Sequence, residues 1–189
     1  MSKDYANLPY TDTRRSDRAV TEEKWMCDLL HRAPVGYLAT VNDGQPFINS
    51  NIFVYDETAH VIYTHTARLG RTQANVDAAN KVCFTVTEMG RLLPADEALE
   101  FSVEYNGIVI FGTAEIVQEH DEATHGLQIL LDKYAPHLKS GRDYSPINVG
   151  ELKRTAVYRI NIDQWSGKRK EAAADFPGAF TYGEFDKQE

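Results

Sequence analysis

The sequence predicts a mainly β fold with added helices: a small antiparallel barrel of roughly six strands. Three observations carry this. Strand-like runs follow one another through short turns, which favours an antiparallel meander. Helical patterns interrupt the strands without alternating one for one, unlike a doubly wound sheet. Gly107 and Gly112 sit inside one long strand pattern, where they mark bends or close backbone approach of the kind found at barrel corners.

The elements follow in order. Residues 1–20 are polar and read as an extended arm. "TEEKWMCDLLHRA" places Trp25, Met26, Leu29 and Leu30 at helical spacing, with Thr21 as N-cap, acidic Glu22 and Glu23 in the first turn, and Pro34 as the stop. "VGYLATV" is a strand, "NDGQP" a turn rich in the residues turns require, and "FINSNIFVYD" a second strand. "HVIYTHT" is a third strand. A short helix follows over about residues 71–80, then a strand over 82–88. "EMGRLLPADEALEF" reads as a loop and "VEYNGIVIFGTAEIVQ" as a long strand. "EHDEATHGLQILLDKYAPHL" is a helix with Leu127, Leu130, Leu131 and Tyr134 on one face. After the loop "SGRDYSPINVGELKR", the last strand "TAVYRINIDQWSGKRKE" alternates Val157, Ile160 and Ile162 with polar partners. The expected organisation is an arm over 1–20, one domain over 21–171 and an aromatic tail over 172–189.

With 189 residues, 42% hydrophobic and 25% charged, the chain is long enough for a sizeable core without a disulfide or metal. The net charge of −8 argues against nonspecific nucleic-acid binding, which needs a basic surface to replace counterions. No apolar run is long enough to span a bilayer and the first residues carry no signal-peptide core, so a cytoplasmic protein is expected. Cys27 and Cys83 form neither a metal site nor a CxxC pair, and no metal site is expected.

Against this acidic background, "HTARLGRT" gathers His65, Arg68 and Arg71 beside Thr66 and Thr72 at the start of one helix. A helix N-terminus carries unpaired N–H groups and partial positive charge, and it collects anions. Arg71 supplies a planar fork suited to phosphate oxygens. No Walker loop and no GxGxxG is present. Taken alone, the cluster reads first as a capped surface helix with solvated arginines. The second cluster, "WSGKRKE", combines Trp165 with Lys168 and Arg169, a stacking plane beside two cations. Alone it too reads first as a basic strand end with a half-buried Trp. Two such clusters in one acidic chain point to an anionic planar ligand.

The order of these pieces resembles the pyridoxamine 5′-phosphate oxidase-like, FMN-binding split-barrel family, and within it the branch of nitroimidazole-resistance proteins. The resemblance rests on "RRSDRAVTEEKWMCDLL", "VGYLATVNDGQPFINSNIFVYD", "YTHTARLGRTQANVDAANKVCFTV", "EYNGIVIFGTAEIV", "LLDKYAP" and "TAVYRINIDQWSGKRKE". It implies a six-stranded antiparallel split β-barrel that forms a homodimer with FMN at the interface. It places Asn49, Ser50, Asn51 and Ile52 beside the flavin ring. It assigns His65, Thr66, Arg71, Thr72 and Asn75 to the ribityl chain and phosphate, with Arg68 adding charge. Tyr105, Trp165, Lys168 and Arg169 are expected to reach the flavin of the other subunit. Relatives commonly carry lysine where this chain has Thr72, which leaves the phosphate to Arg71 and Arg68. The arginine-rich C-terminal motif of pyridoxamine-phosphate oxidases has no counterpart. The implied function is an FMN-dependent oxidoreductase acting on a nitroaromatic, quinone-like or pyridoxal-type small molecule. A flavin- or haem-binding carrier or sensor without turnover is the alternative, and a deazaflavin is a further cofactor reading.

Overall fold

The computed structural model describes residues 4–184. Residues 1–3 of the expected arm and 185–189 of the expected tail, Phe185 among them, lie outside the described residues.

Eight strands form one sheet. They are β1 (Ala19–Val20), β2 (Gly36–Asn42), β3 (Gln45–Asn51), β4 (Phe53–Asp56), β5 (Val61–Ala67), β6 (Lys81–Leu93), β7 (Ser102–Ile116) and β8 (Thr155–Lys170). The helices are α1 (Glu23–Arg32), α2 (Arg71–Ala78), α3 (His120–Tyr134) and the short α4 (Val149–Leu152). Every strand pair is antiparallel. The order across the sheet is β3-β2-β6-β7-β8-β5-β4, with β1 added against β8.

That order explains the barrel. β3 and β4 stand at opposite ends of the sheet, yet only Ile52 separates them in the chain. The sheet must therefore curl until its two ends meet, and the chain itself closes the split barrel. The Thr64 hydroxyl donates to the Ile52 carbonyl at 2.9 Å and pins the junction. The expected single strand "FINSNIFVYD" is thus two strands. Its first half pairs with β2 and its second with β5.

Three other differences have local causes. β6 continues to Leu93 through a segment expected as loop, because Leu92 and Leu93 find partners in Val103 and Ser102 beyond a register shift. α3 stops at Tyr134, since Pro136 disfavours helix at the residue before it. α4 arises inside an expected loop, where Asn148 and Glu151 complete a capping box.

Two cores flank β5. Inside the barrel, Phe53, Ile62, Phe84, Ile110 and Tyr158 pack with Leu29 and Leu30 of α1. Outside it, Val54, Val61, Tyr63 and Val157 pack beneath Leu130 of α3 and Leu152 of α4. Val61 to Thr64 is buried on both faces, so this strand reads as a continuous run rather than an alternation. The β7–β8 pairing slips at Phe111 and Gly112. A Cβ at Gly112 would lie 1.8 Å from the Asn161 carbonyl oxygen, so only glycine admits this close approach.

Candidate functional site

α2 begins at Arg71, and its N-cap is Gly70, which offers no capping side chain. The first-turn amides consequently have no side-chain acceptor. The Arg71 side chain is exposed and makes no hydrogen bond or ion pair among the described residues. The next residues turn inward. Thr72 is buried and accepts a hydrogen bond from Asn49 Nδ2 at 3.3 Å. Asn75, only 1% exposed, donates from Nδ2 to Thr40 Oγ1 at 2.8 Å. The inner side of α2 is therefore tied to β2 and β3 by polar contacts rather than by an apolar seam.

This polar layer is incompletely satisfied. Asn75 Oδ1, Asn51 Nδ2 and Gln73 Oε1 are buried without a hydrogen-bond partner. Buried polar atoms nearly always find partners, so orphans of this kind ask for a ligand or water. On β3, Asn49 and Asn51 are half-buried on one face, while Ile48 and Ser50 are exposed on the other. The expected run Asn49, Ser50, Asn51 and Ile52 is split by the strand period, with Ile52 at the barrel junction.

The end of β5 divides in the same way. Thr66 faces the barrel, where its hydroxyl meets the Tyr158 hydroxyl at 3.2 Å and also donates to the Ala67 carbonyl at 2.8 Å. His65 faces the opposite side and is paired across the sheet with Val157 of the outer core. It lines a cavity of about 540 Å³ together with Leu127, Leu130, Leu131, Ile147 and Arg154. His65 Nδ1 is buried with no partner. Burial pushes the imidazole pKa below its ordinary value and keeps the ring neutral.

Arg68 does not join Arg71. Its Nε and Nη2 donate to the Leu152 carbonyl at 3.2 and 2.9 Å, which braces the end of α4. Arg71 is the cation left at the helix start.

The expectation that Trp165, Lys168 and Arg169 form one aromatic–cationic surface needs correction. They lie on β8, and period-two alternation sends them to different faces. Trp165 packs edge-on against His60, with ring centroids 4.9 Å apart, beside the barrel core. Arg169 lies over Trp25 at 5.8 Å and pairs with Glu171 at 3.6 Å. Lys168 takes the other face, with Nζ 5.6 Å from the Tyr105 ring centre. Arg18 donates to the Tyr105 hydroxyl at 3.4 Å. A groove of about 350 Å³ runs beside Tyr105 and Lys168, with Arg14 of the arm on its wall. Arg14 and Arg18 were not among the expected site residues, because nothing local in a polar arm shows which strand it crosses.

The outer sheet face near this groove is apolar. Ile48, Ala39, Cys83 and Phe111 align across β3, β2, β6 and β7. Ile48 is 64% exposed, and Tyr37 and Val41 beside it are also exposed.

The family model described as pyridoxamine 5′-phosphate oxidase matches residues 22–169. No curated protein sequence matches the chain. Among solved structures, the flavocytochrome Anf3 from Azotobacter vinelandii is similar at TM-score 0.73 and 20% identity, over 85% of this chain and 73% of that one. The FAD and heme binding protein from Mycobacterium smegmatis is similar at TM-score 0.73 and 23% identity, over 82% of this chain and 74% of that one. A Bacteroides thetaiotaomicron protein with a proposed role in 5-nitroimidazole antibiotic resistance is similar at TM-score 0.65 and 19% identity, over 81% of this chain and 90% of that one. At these identities the likeness is one of fold.

Proposed function

The chain belongs to the pyridoxamine 5′-phosphate oxidase family, and on that premise we propose that it binds a flavin and is an oxidoreductase acting on a small molecule. The observation that carries this reading is the start of α2. An unpaired, exposed Arg71 stands over an uncapped first turn, and orphaned amide atoms of Asn51 and Asn75 lie buried nearby in the fold. Arg71 and the first-turn amides are donors that suit a phosphate monoester, while Asn51 Nδ2 can donate to, and Asn75 Oδ1 accept from, a polar ribityl chain. The flavin is FMN in this reading. Arg71, Thr72 and the α2 amides hold its phosphate, Thr66 and Asn75 its ribityl chain, and Asn49, Ser50, Asn51 and Ile52 its ring edge.

The flavin would supply hydride or electron transfer, while the chain binds, orients and excludes water. A homodimer completes the site. Exposed Ile48, Tyr37 and Val41 on the outer face make the kind of apolar patch that a partner covers. Tyr105 and Lys168 of the partner subunit then reach the flavin from the neighbouring outer face. Acceptors of nitroaromatic, quinone-like or pyridoxal type are expected, and the fold relative with a proposed nitroimidazole-resistance role supports the first.

The test begins with the chromophore. The purified protein should carry or take up flavin. Parallel titrations with FMN, FAD and a deazaflavin rank the cofactors. A protein that binds none of them sinks the reading, and reoxidation no faster than free flavin in the presence of acceptors sinks the oxidoreductase part.

A second reading keeps the flavin and adds haem, in a carrier or sensor without turnover. Two fold relatives named for flavin and haem together favour it.

A further inference from the structure

The cavity between α3, α4 and the end of β5 lies across that strand from Thr66 and takes no part in the flavin site. Its volume of about 540 Å³ falls within the range of about 300–1,000 Å³ typical of small-molecule pockets. Leu127, Leu130 and Leu131 of α3 form one wall and Ile147 another. The sheet contributes His65, which burial keeps neutral, so the interior carries no charge. One side is held in place by Tyr144. Its hydroxyl accepts from Gln128 Nε2 of α3 at 2.8 Å, and its carbonyl accepts from the Gly141 N–H at 2.8 Å.

The charge sits at the rim. The Arg154 side chain lines the mouth, is exposed and makes no hydrogen bond or ion pair among the described residues. Glu151 is on the same rim, but its carboxylate accepts from the Asn148 N–H at 3.0 Å in the capping box. Arg68 adds positive charge at that end of α4 through its bonds to the Leu152 carbonyl. An apolar interior with one unpaired guanidinium at its mouth matches an amphiphile with one anionic head. The tail would remove leucine surface from water, and the planar fork takes a carboxylate in two parallel hydrogen bonds. The nearby Glu151 carboxylate repels a doubly charged phosphate more than a singly charged head. Walls of leucine and isoleucine suit a flexible aliphatic chain, with Tyr144 the single phenol ring to stack a flat one. We propose that this cavity binds an aliphatic monocarboxylate, its chain among the α3 leucines and its carboxylate on Arg154. The site is independent of the flavin reading.

The experiment titrates the full chain calorimetrically with decanoate, decanol, decyltrimethylammonium and naphthoate, each below its micelle-forming concentration. Decanoate should bind in a one-to-one complex, about tenfold or more tighter than decanol, because a hydrogen bond to a charged group outweighs a neutral one. Arg154→Gln should melt like wild type, since that side chain is exposed and unpaired, and should bring decanoate down to the affinity of decanol. Leu131→Trp fills the cavity and should abolish decanoate binding. A wild-type chain that binds no decanoate overturns the assignment. So does decanol or decyltrimethylammonium binding as tightly as decanoate, which would mark a groove blind to charge. Naphthoate binding without decanoate refutes the aliphatic chain. If Arg154→Gln, or a folded Leu131→Trp, binds decanoate like wild type, the carboxylate is held elsewhere and the site falls.

Discussion

His65 and Thr66 are neighbours in the chain, yet they face opposite sides of β5: Thr66 toward Tyr158 in the barrel, His65 toward the cavity beneath α3 and α4. One strand thickness separates the two environments. A substitution at either position should therefore act on one side only. Thr66→Val should lower flavin affinity, and His65→Ala should leave it unchanged. Flavin titrations of the two variants check this.

Arg71 and Arg68 should separate cleanly. Arg71 is exposed and unpaired, so Arg71→Ala should leave the melting temperature within error. A charge-assisted hydrogen bond to phosphate is worth about 1.5–3 kcal/mol, so flavin affinity should drop by about 10–150-fold. Arg68→Ala loses the brace on Leu152 and should lower the melting temperature instead. Flavin fluorescence titration and thermal melts distinguish the two.

Gly112 and Gly107 give a matched pair on β7. Gly112→Ala puts a Cβ into the Asn161 carbonyl oxygen and must push β7 from β8. Overpacking of this kind costs about 1–3 kcal/mol, or roughly 2–12 °C in a domain of this size. Gly107→Ala meets nothing nearer than 3.8 Å and should melt like wild type.

Acid should release the chain after β8. Arg91 holds the Glu104 carboxylate at 2.7 Å and donates to the carbonyls of Ala173 and Ala174 at 3.0 and 2.9 Å. The Ala172 N–H donates to the same carboxylate at 2.9 Å. The Arg91 hydrogen bond, followed by that N–H, draws the Glu104 pKa down from 4.5 to about 2. A carboxylate with a depressed pKa stabilises the fold above its ordinary value and loses that contribution as pH falls through the depressed one. Residues 172–184 should stay protected from proteolysis at neutral pH and at pH near 4.5, and open toward pH 2. Glu104→Gln should expose them already at neutral pH, read by mass spectrometry of the fragments.

The apolar row across the outer face gives the test of assembly. Wild type is expected at about 43 kDa, twice 21.3 kDa, by light scattering. Ile48→Glu places a charge at the β3 end of that row and should yield a folded monomer with weakened flavin binding. A wild-type monomer would refute the dimer and the contribution of Tyr105 and Lys168 in trans.

Much of this was legible in the residues. Alternation and turn chemistry located the six expected strands, and the helix start at Gly70–Arg71 was visible as well. The separation of His65 from Thr66, and of Trp165 from Lys168, also follows from period two once the strand is taken seriously. What no local pattern carries is long-range pairing. Asn75 meets Thr40 and Arg68 meets Leu152 across tens of residues. The break at Ile52 was hidden because "FINSNIFVYD" has strand propensity throughout. Only the change of partner, from β2 to β5, divides it.

β8 pairs on one side with β7 and on the other with β5 and β1. Without it the ladder falls into three pieces, β3-β2-β6-β7, the β5-β4 hairpin and the lone strand β1. It is also the strand that leaves the ribosome after all the others. The earlier pieces must wait with open edges while the intervening helices are made, at about 5–20 residues per second. Barrel closure is therefore a late event in biosynthesis, and the contact of Thr66 with Tyr158 forms only when residues 155–170 arrive.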